Sequence, residues 1–339
     1  MSQADKGRVS AKHVAIEAEV SVSAVSRTFT EGASVSERTR TKVLRAAEKL
    51  GYRPNILARS LMTQRSELVG LVSTNFRNPA FMEIFDRFTR GLQVRKLRPL
   101  IINLTGEMAY EQAIDLLIQY RVDGVIVASS TLPEAFSRAC LEARLPAVIA
   151  FGRGHAPHAL SSVSVDNQDG GRRAARLLLE RGYRRIGFLG GPRHATTTVD
   201  RLKGFRAGLK TAGLEPQAFF CDHYAHAEGL ATAAALFETH PDTEAVFCGD
   251  DILAMGAMDW VRSTLGKRVP QEVGLLGFND ISMARWPAYD LTTIRQPVEA
   301  IIAAAIDMVG QRIEAPSAPP QARVLPCETV IRSTLREPL

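Results

Sequence analysis

VSAKHVAIEAEVSVSAVSRTFT, residues 9–30, is the stretch from which the rest of the chain can be read. It predicts two short helices with a tight break between them. Ser10 occupies an N-cap position, and Val14, Ala15 and Ala18 recur at helical spacing until Glu19 and Val20 interrupt the pattern. Ser21 is a second N-cap, after which Ala24, Val25, Thr28 and Phe29 fall on one face and Val22, Ser23, Ser26 and Arg27 on the other. The second face is small, polar and cationic. Such a face suits a DNA major groove, where a guanidinium can fork onto guanine or a phosphate, a hydroxyl can bond either, and a valine can touch a thymine methyl. An ordinary helical hairpin with a solvated face is the alternative.

The next segment favours the DNA reading. Residues 35–40, VSERTR, open a third helix with Ser36 as its cap, and Val43, Leu44, Ala47 and Leu50 form its buried stripe until Gly51 stops it. Residues 50–55, LGYRPN, lead into ILARSLMT at 56–63, which has helical residues but is too short to hold a helix alone in water. Charge follows the same division. The chain of 339 residues has a net charge of +6, and residues 1–65 carry 12 Lys+Arg against 6 Asp+Glu, so the basic excess lies entirely in the front segment. That is the footprint of a nucleic-acid-binding head on a neutral body.

With VSVSAVSRTF, VSERTR, LGYRPN and ARSL in this order and spacing, the chain resembles the lactose-repressor (LacI) family of bacterial transcription regulators. The resemblance places Val22, Ser23 and Arg27 on base-reading positions, Ser21, Ser26, Ser36 and Thr39 on phosphate-facing ones, Asn55 in the DNA-binding set, and Leu61 on the minor-groove leucine of a hinge helix. Glu19 departs from the pattern. It stands where the family usually has a glycine in a left-handed turn, at a cost of roughly 1–2 kcal/mol of backbone strain.

Beyond residue 67 short β-rich runs alternate with amphipathic stretches, which argues for α/β units around parallel sheets. Strands are expected at 68–72, 99–104, 124–128, 147–151, 185–189, 245–248 and 273–277, and helices at 80–95, 111–120, 169–181, 201–212, 251–265 and 298–312. Two groups of βα units imply two doubly wound subdomains, with chain crossovers near 165–167, in 291–296 and near 325–326. This body resembles the family's periplasmic-binding-protein-like core through Asn78-Pro79-Ala80-Phe81, Val165-Asp166-Asn167, Gly182-Tyr183-Arg184-Arg185-Ile186, Asp200-Arg201-Leu202-Lys203-Gly204-Phe205 and the LTTIRQP run. The expected organisation is a three-helix helix-turn-helix domain at 1–53, a hinge helix and linker at 54–66, and a core at 67–339. Within the core the first subdomain takes about 67–166 and 296–325, and the second about 167–292 and 326–339.

In open α/β sheets ligands settle beyond the carboxyl ends of the strands. The loops there present Phe76, Phe81, Phe151, Asn279 and Trp286, with Arg193 and His194 after Gly191-Pro192, and the resemblance adds Arg201, Tyr224 and Asp250. An aromatic platform with a few hydrogen-bonding groups suits a sugar-like ring. Arg193 and His194 hint at an anionic ligand such as a sugar acid, with a solvated loop as the alternative, and Arg201 is read as a ligand contact against a structural ion pair. Asp250 stands where the family commonly has asparagine, Asn279 where an aspartate often binds ligand, and Phe151 where some relatives have aspartate.

Residues 187–191, GFLGG, are not a dinucleotide fingerprint, and no catalytic triad or metal-ligand spacing has motif-level support, so neither a cofactor nor an enzymatic role is expected. Cys140, Cys221, Cys248 and Cys327 are far apart and read as buried reduced thiols of a cytosolic protein. The N-terminus is hydrophilic, and no apolar run approaches the ~20 residues of a membrane helix. The expected protein is a cytoplasmic repressor that binds a pseudo-palindromic double-stranded operator as a homodimer, with a tetramer as the larger alternative, under control of a sugar, sugar acid or related metabolite. A sugar kinase with a helix-turn-helix head is the competing class, and it should show glycine-rich ATP loops in the body. A solute-binding protein for transport does not account for the basic head.

Overall fold

The computed structural model describes residues 9–30, 32–53, 65–104, 110–154 and 159–338. They fall into two compact units, one on each side of the Glu67–Leu68 bond. The first unit contains α1 (Ala11–Glu17), α2 (Val22–Thr28) and α3 (Glu37–Leu50). Its caps are those the sequence predicts: Ser21 Oγ accepts from the Ala24 amide and Ser36 Oγ from the Thr39 amide, each at 3.2 Å, and the Ser10 amide donates to His13 Nδ1 at 3.1 Å. Val14, Ala15, Ala18, Val25, Val43, Ala46 and Ala47 form its core, with Phe29 and Tyr52 packed against it. One position of the α3 stripe differs. Leu44 is exposed and Ala46 is buried instead, since Val43, Ala46 and Ala47, at i, i+3 and i+4, share the face turned to the core.

Glu19 ends α1 at φ 53°, so the left-handed turn is kept with a residue that has a Cβ. Gly51 closes α3 in the left-handed region at φ 64°, as the sequence requires of a helix stop.

The second unit holds two six-stranded sheets. The first lobe is built on β1 (Leu68–Ser73), β2 (Arg98–Asn103), β3 (Gly124–Ala128), β4 (Ala147–Ala150), β5 (Ser161–Val165) and β11 (Ala322–Leu325), in the order β11-β5-β4-β3-β1-β2. The second is built on β6 (Ile186–Gly190), β7 (Gln217–Phe220), β8 (Ala245–Cys248), β9 (Gly274–Asn279), β10 (Thr293–Arg295) and β12 (Glu328–Val330), in the order β12-β10-β9-β8-β6-β7. Pairing is parallel except between β10 and β12. The helices are α4 (Ala80–Val94), α5 (Tyr110–Gln119), α6 (Glu134–Glu142), α7 (Asn167–Glu180), α8 (Thr196–Lys210), α9 (His226–Thr239), α10 (Asp251–Ser263) and α11 (Val298–Glu314).

The predicted strands and helices all appear, with ends shifted by a few residues. Strands β5, β7, β10, β11 and β12 and helices α6 and α9 were not predicted. Each sheet core is aliphatic and aromatic, and in the second lobe Phe188, Phe205, Phe247 and Phe278 are wholly buried. Each such ring is worth roughly 1.5–3 kcal/mol relative to exposure.

Candidate functional site

A cavity opens between the lobes at the carboxyl ends of both parallel sheets, with about 950 Å³ of empty space including its mouth. The first lobe contributes Asn78, Phe81 from α4, Ser130 and Phe151, and the second contributes Thr197 and Arg201 from α8, Tyr224, Asp250 and Asn279. Gln296 lies where the chain returns from β10 toward α11.

Glycines place the second-lobe groups. A Cβ on Gly204 would lie 1.9 Å from the Gln168 carbonyl oxygen and one on Gly171 2.2 Å from that of Arg201, so only glycine lets α7 and α8 approach this closely. That approach brings Asn167, the first residue of α7, against Arg201. Arg201 is 3 % exposed, its Nε donates to Asn167 Oδ1 at 2.9 Å, its Nη1 donates to the Gly249 carbonyl, and its guanidinium lies 3.6 Å from the centroid of the Phe278 ring. Burial lowers its pKa from the usual arginine value. With Nε given to Asn167, the side-on fork of Nε and Nη2 is closed to a ligand, while Nη1 has a second N–H and Nη2 has two. The residue is part anchor and part cavity wall.

Asp250 caps α10: its Oδ1 accepts from the Ile252 amide at 2.9 Å, and its Oδ2 accepts from Asn279 Nδ2 at 2.8 Å and Asn78 Nδ2 at 3.1 Å. Burial raises its pKa to about 6 against the pull of those bonds. Asp251 behind it is wholly buried and is pushed to about 7, again chiefly by burial. Asn279 is satisfied on both sides, its Oδ1 accepting from Gln296 Nε2 at 2.5 Å. Tyr224 is buried, with its hydroxyl 2.9 Å from Thr198 Oγ1 and 3.2 Å from Thr197 Oγ1, and burial raises its pKa. Burial also raises the Asp280 pKa, but hydrogen bonds from Arg332 and Arg295, at 2.6 and 2.7 Å, outweigh it and hold the carboxyl below its ordinary value. Phe151, Asn279 and Asp280 have φ of 66°, 120° and 57°. Backbone strain concentrated on a cavity wall is a recurring mark of binding sites.

Of the ligand residues expected from sequence, Phe81, Phe151, Arg201, Tyr224, Asp250 and Asn279 meet in this cavity. Two do not join them. Phe76 stacks on Phe85 with centroids 4.8 Å apart, behind the wall, and Trp286 is 53 % exposed in the turn after the 3-10 helix Ser282–Arg285. Arg193 lies over the Phe220 ring at 4.0 Å, and His194 lines, with Asp222 and His223, an adjoining opening that shares Asn75, Asn78 and Tyr224 with the cavity. Asn78, Ser130, Thr197 and Gln296 were not anticipated as site residues. Asn78 and Gln296 sat inside quoted motifs, but their roles depend on contacts remote in sequence.

In the first unit, Val22, Ser23 and Arg27 are exposed on α2 while Ala24, Val25 and Thr28 are buried on its other side. Ser21 and Ser36 are spent partly as caps, Ser36 Oγ lies 2.8 Å from Thr39 Oγ1, and Ser26 is half-buried. Asn55 and Leu61 lie outside the described residues. The four cysteines are buried and free. Among the described residues, no helix is long and apolar enough to cross a membrane.

Residues 10–55 match the family described as "Bacterial regulatory proteins, lacI family", and residues 177–335 match "Periplasmic binding protein-like domain". The HTH-type transcriptional repressor PurR of Escherichia coli O139:H28 is 33% identical over 307 residues, covering 89% of each chain. The transcriptional regulator CelR in complex with cellobiose superposes with a TM-score of 0.73 at 29% identity, over 96% of this chain and all of that one. The lac repressor dimer bound to operator and the anti-inducer ONPF shares the fold, with a TM-score of 0.85 at 24% identity over 96% of this chain and 99% of that one.

Proposed function

The chain belongs to the lacI family of bacterial regulatory proteins, and within that family we propose that it is a sequence-specific repressor whose hold on its operator is set by a small polar metabolite in the cleft. The observation that carries this reading is the exposed face of α2: Val22, Ser23 and Arg27 stand in solvent while the same helix buries Ala24 and Val25. A dimer would set two such helices in successive major grooves of a pseudo-palindrome. CelR, a relative whose complex holds cellobiose, supports a sugar effector here, with a sugar acid as the related alternative.

We assign DNA reading to residues 1–53, a hinge to 54–66 and effector binding with dimerisation to 67–339. The DNA contacts are Ser21, Val22, Ser23, Ser26, Arg27, Ser36, Thr39, Asn55 and Leu61. The effector contacts are Phe81, Phe151, Arg201, Tyr224, Asp250 and Asn279, with Phe76 and Trp286 in support. No reaction is assigned, and the place of action is the cytoplasm, where the operator is. Retardation of a pseudo-palindromic DNA by purified protein, without ATP hydrolysis, is the test. ATP turnover with indifference to DNA would favour the sugar-kinase alternative.

A further inference from the structure

Two successive residues of the cavity wall hold the chain where it passes between the lobes. The second crossover leaves β10 for α11 through Arg295 and Gln296, and the third leaves β11 for β12 through residues 326–327. Asn279 Oδ1 accepts from Gln296 Nε2 at 2.5 Å. Its neighbour Asp280 accepts from Arg295 Nε at 2.7 Å and from Arg332 Nη2 at 2.6 Å, with Arg285 Nη2 at 3.8 Å.

Both arginines carry the connection further. Arg295 reaches Glu328 at 3.5 Å, its direct opposite in the antiparallel β10–β12 pair, which begins just after the third crossover. Arg332 donates from Nη1 to the Leu291 carbonyl at 2.6 Å and from its amide to Thr292 Oγ1 at 2.9 Å, just before β10. One carboxylate thus fastens the ribbon that leads out of two crossovers. Each of its oxygens already serves a guanidinium, and such charge-assisted bonds are short and directional. Asn279 and Asp280 are both non-glycine residues at positive φ, a strain that persists only where surrounding contacts over-determine the backbone. Any shift of Asn279 on the cavity wall is passed to Asp280 through one peptide bond, and from there to both crossovers.

Resting on the effector-controlled repressor reading, we propose that Asp280 is a positioning residue: through Arg295 and Arg332 it fixes the course of the second and third crossovers, and with them the lobe arrangement on which operator affinity depends, without being an effector contact itself.

The test is a double-mutant cycle on the full chain with Arg295→Gln, Asp280→Asn and both together, titrated at fixed salt with operator DNA and with random-sequence duplex. The Arg295 side chain is 42 % exposed and that of Asp280 1 %, so Arg295→Gln keeps the buried carboxylate paired with Arg332, whereas Asp280→Asn strands that arginine. Asparagine suits the left-handed backbone. Each single variant should change operator affinity by about fivefold or more and affinity for random duplex by less than about twofold, and the double should stay within about twofold of Asp280→Asn, because one bond is broken in both. A purely structural ion cluster would lower the melting temperature and leave operator affinity alone. Operator affinity of Arg295→Gln within about twofold of the wild type therefore overturns the proposal, as does a double variant whose change is the product of the two singles. If Asp280→Asn does not fold, Arg295→Lys replaces it: a cation kept opposite Asp280 should hold operator affinity nearer the wild type than Arg295→Gln does, and equal loss in both overturns the proposal. A wild type that retards no pseudo-palindromic DNA removes the repressor reading instead. Amide exchange without DNA then tests the fastening alone: it should quicken in Arg295→Gln at residues 293–298 and 327–330, and unchanged exchange at 327–330 counts against it.

Discussion

Asn78 and Asp250 are bonded across the cleft, Asn78 Nδ2 donating to Asp250 Oδ2 at 3.1 Å. Both are buried, and each also caps a helix: Asn78 Oδ1 accepts from the Ala80 amide at 3.0 Å at the start of α4, and Asp250 Oδ1 accepts from the Ile252 amide at 2.9 Å at the start of α10. One hydrogen bond therefore couples the beginnings of a first-lobe and a second-lobe helix. The Thr196 amide to the Ser130 carbonyl, 2.9 Å, and Arg153 to Asp200, 2.8 Å, add two more ties. A ligand that bound the tied and untied arrangements with unequal affinity would shift the equilibrium between them.

Asn78→Ala removes a donor from a buried carboxylate and leaves Asp250 with two. It should cost roughly 1–3 kcal/mol in denaturant unfolding of the whole chain. Asn78→Asp should be worse above about pH 6, because it faces one carboxylate with another. A cost within the error of the wild type for both would show that the bond is not formed in solution.

Acid titration offers a second prediction. Burial holds the Asp250 and Asp251 carboxyls protonated up to about 6 and about 7, above the ordinary value of 3.8. The folded chain thus binds more protons than the unfolded chain in that window, so their contribution to stability is present at low pH and is lost as pH rises through about 6 and about 7. Asp251→Asn should flatten the fall in melting temperature between about pH 5 and about pH 7.5. An unchanged slope, or a steeper one, contradicts the assignment.

The parts legible in the sequence are those where a local pattern decides the outcome. Ser21 and Ser36 cap their helices because a hydroxyl after an extended residue meets free amides wherever the chain turns helical. The short continuous apolar runs of β3 and β8 read as strands buried on both faces. By contrast β5 reads SSVSV and β11 ARVL, and the latter is largely exposed at a sheet edge, so neither announces itself by apolar continuity. Helix α9, HAEGLATAAALFET, is alanine-rich on several faces and lacks a sharp apolar stripe. At the site, aromatic residues beyond strand ends were visible as types, but Trp286 points to solvent and Phe76 backs onto Phe85, distinctions set by tertiary packing. The commitment of Arg201 to Asn167 and Gly249 depends on residues 34 and 48 positions away.

Glu19 holds the turn between α1 and α2 at φ 53° with its side chain in solvent and only a 3.9 Å approach to Lys42. Glu19→Gly should stabilise the first unit by up to about 1 kcal/mol, the strain relieved less the entropy glycine loses on folding. It should also raise affinity for non-specific DNA by removing an acidic group. Amide exchange in residues 9–53 reads the first effect and titration on random-sequence duplex the second. Destabilisation would mean that the Lys42 approach matters more than the backbone.

Arg27→Ala should weaken operator binding by roughly 1–3 kcal/mol and relax preference at one position of each half-site, if the guanidinium reads a base. Equal weakening on every sequence would reassign it to phosphate.

Linkage between cleft and operator is tested most directly by equilibrium titration of operator DNA, at fixed salt, with the wild type and with the Asn78→Ala, Arg153→Ala double variant. These substitutions cut two of the ties across the cleft and touch no residue assigned to DNA. Operator affinity should change by about fivefold or more while affinity for random-sequence DNA stays within about twofold. Operator affinity unchanged in a variant whose solution scattering shows the lobes moved apart would contradict the account.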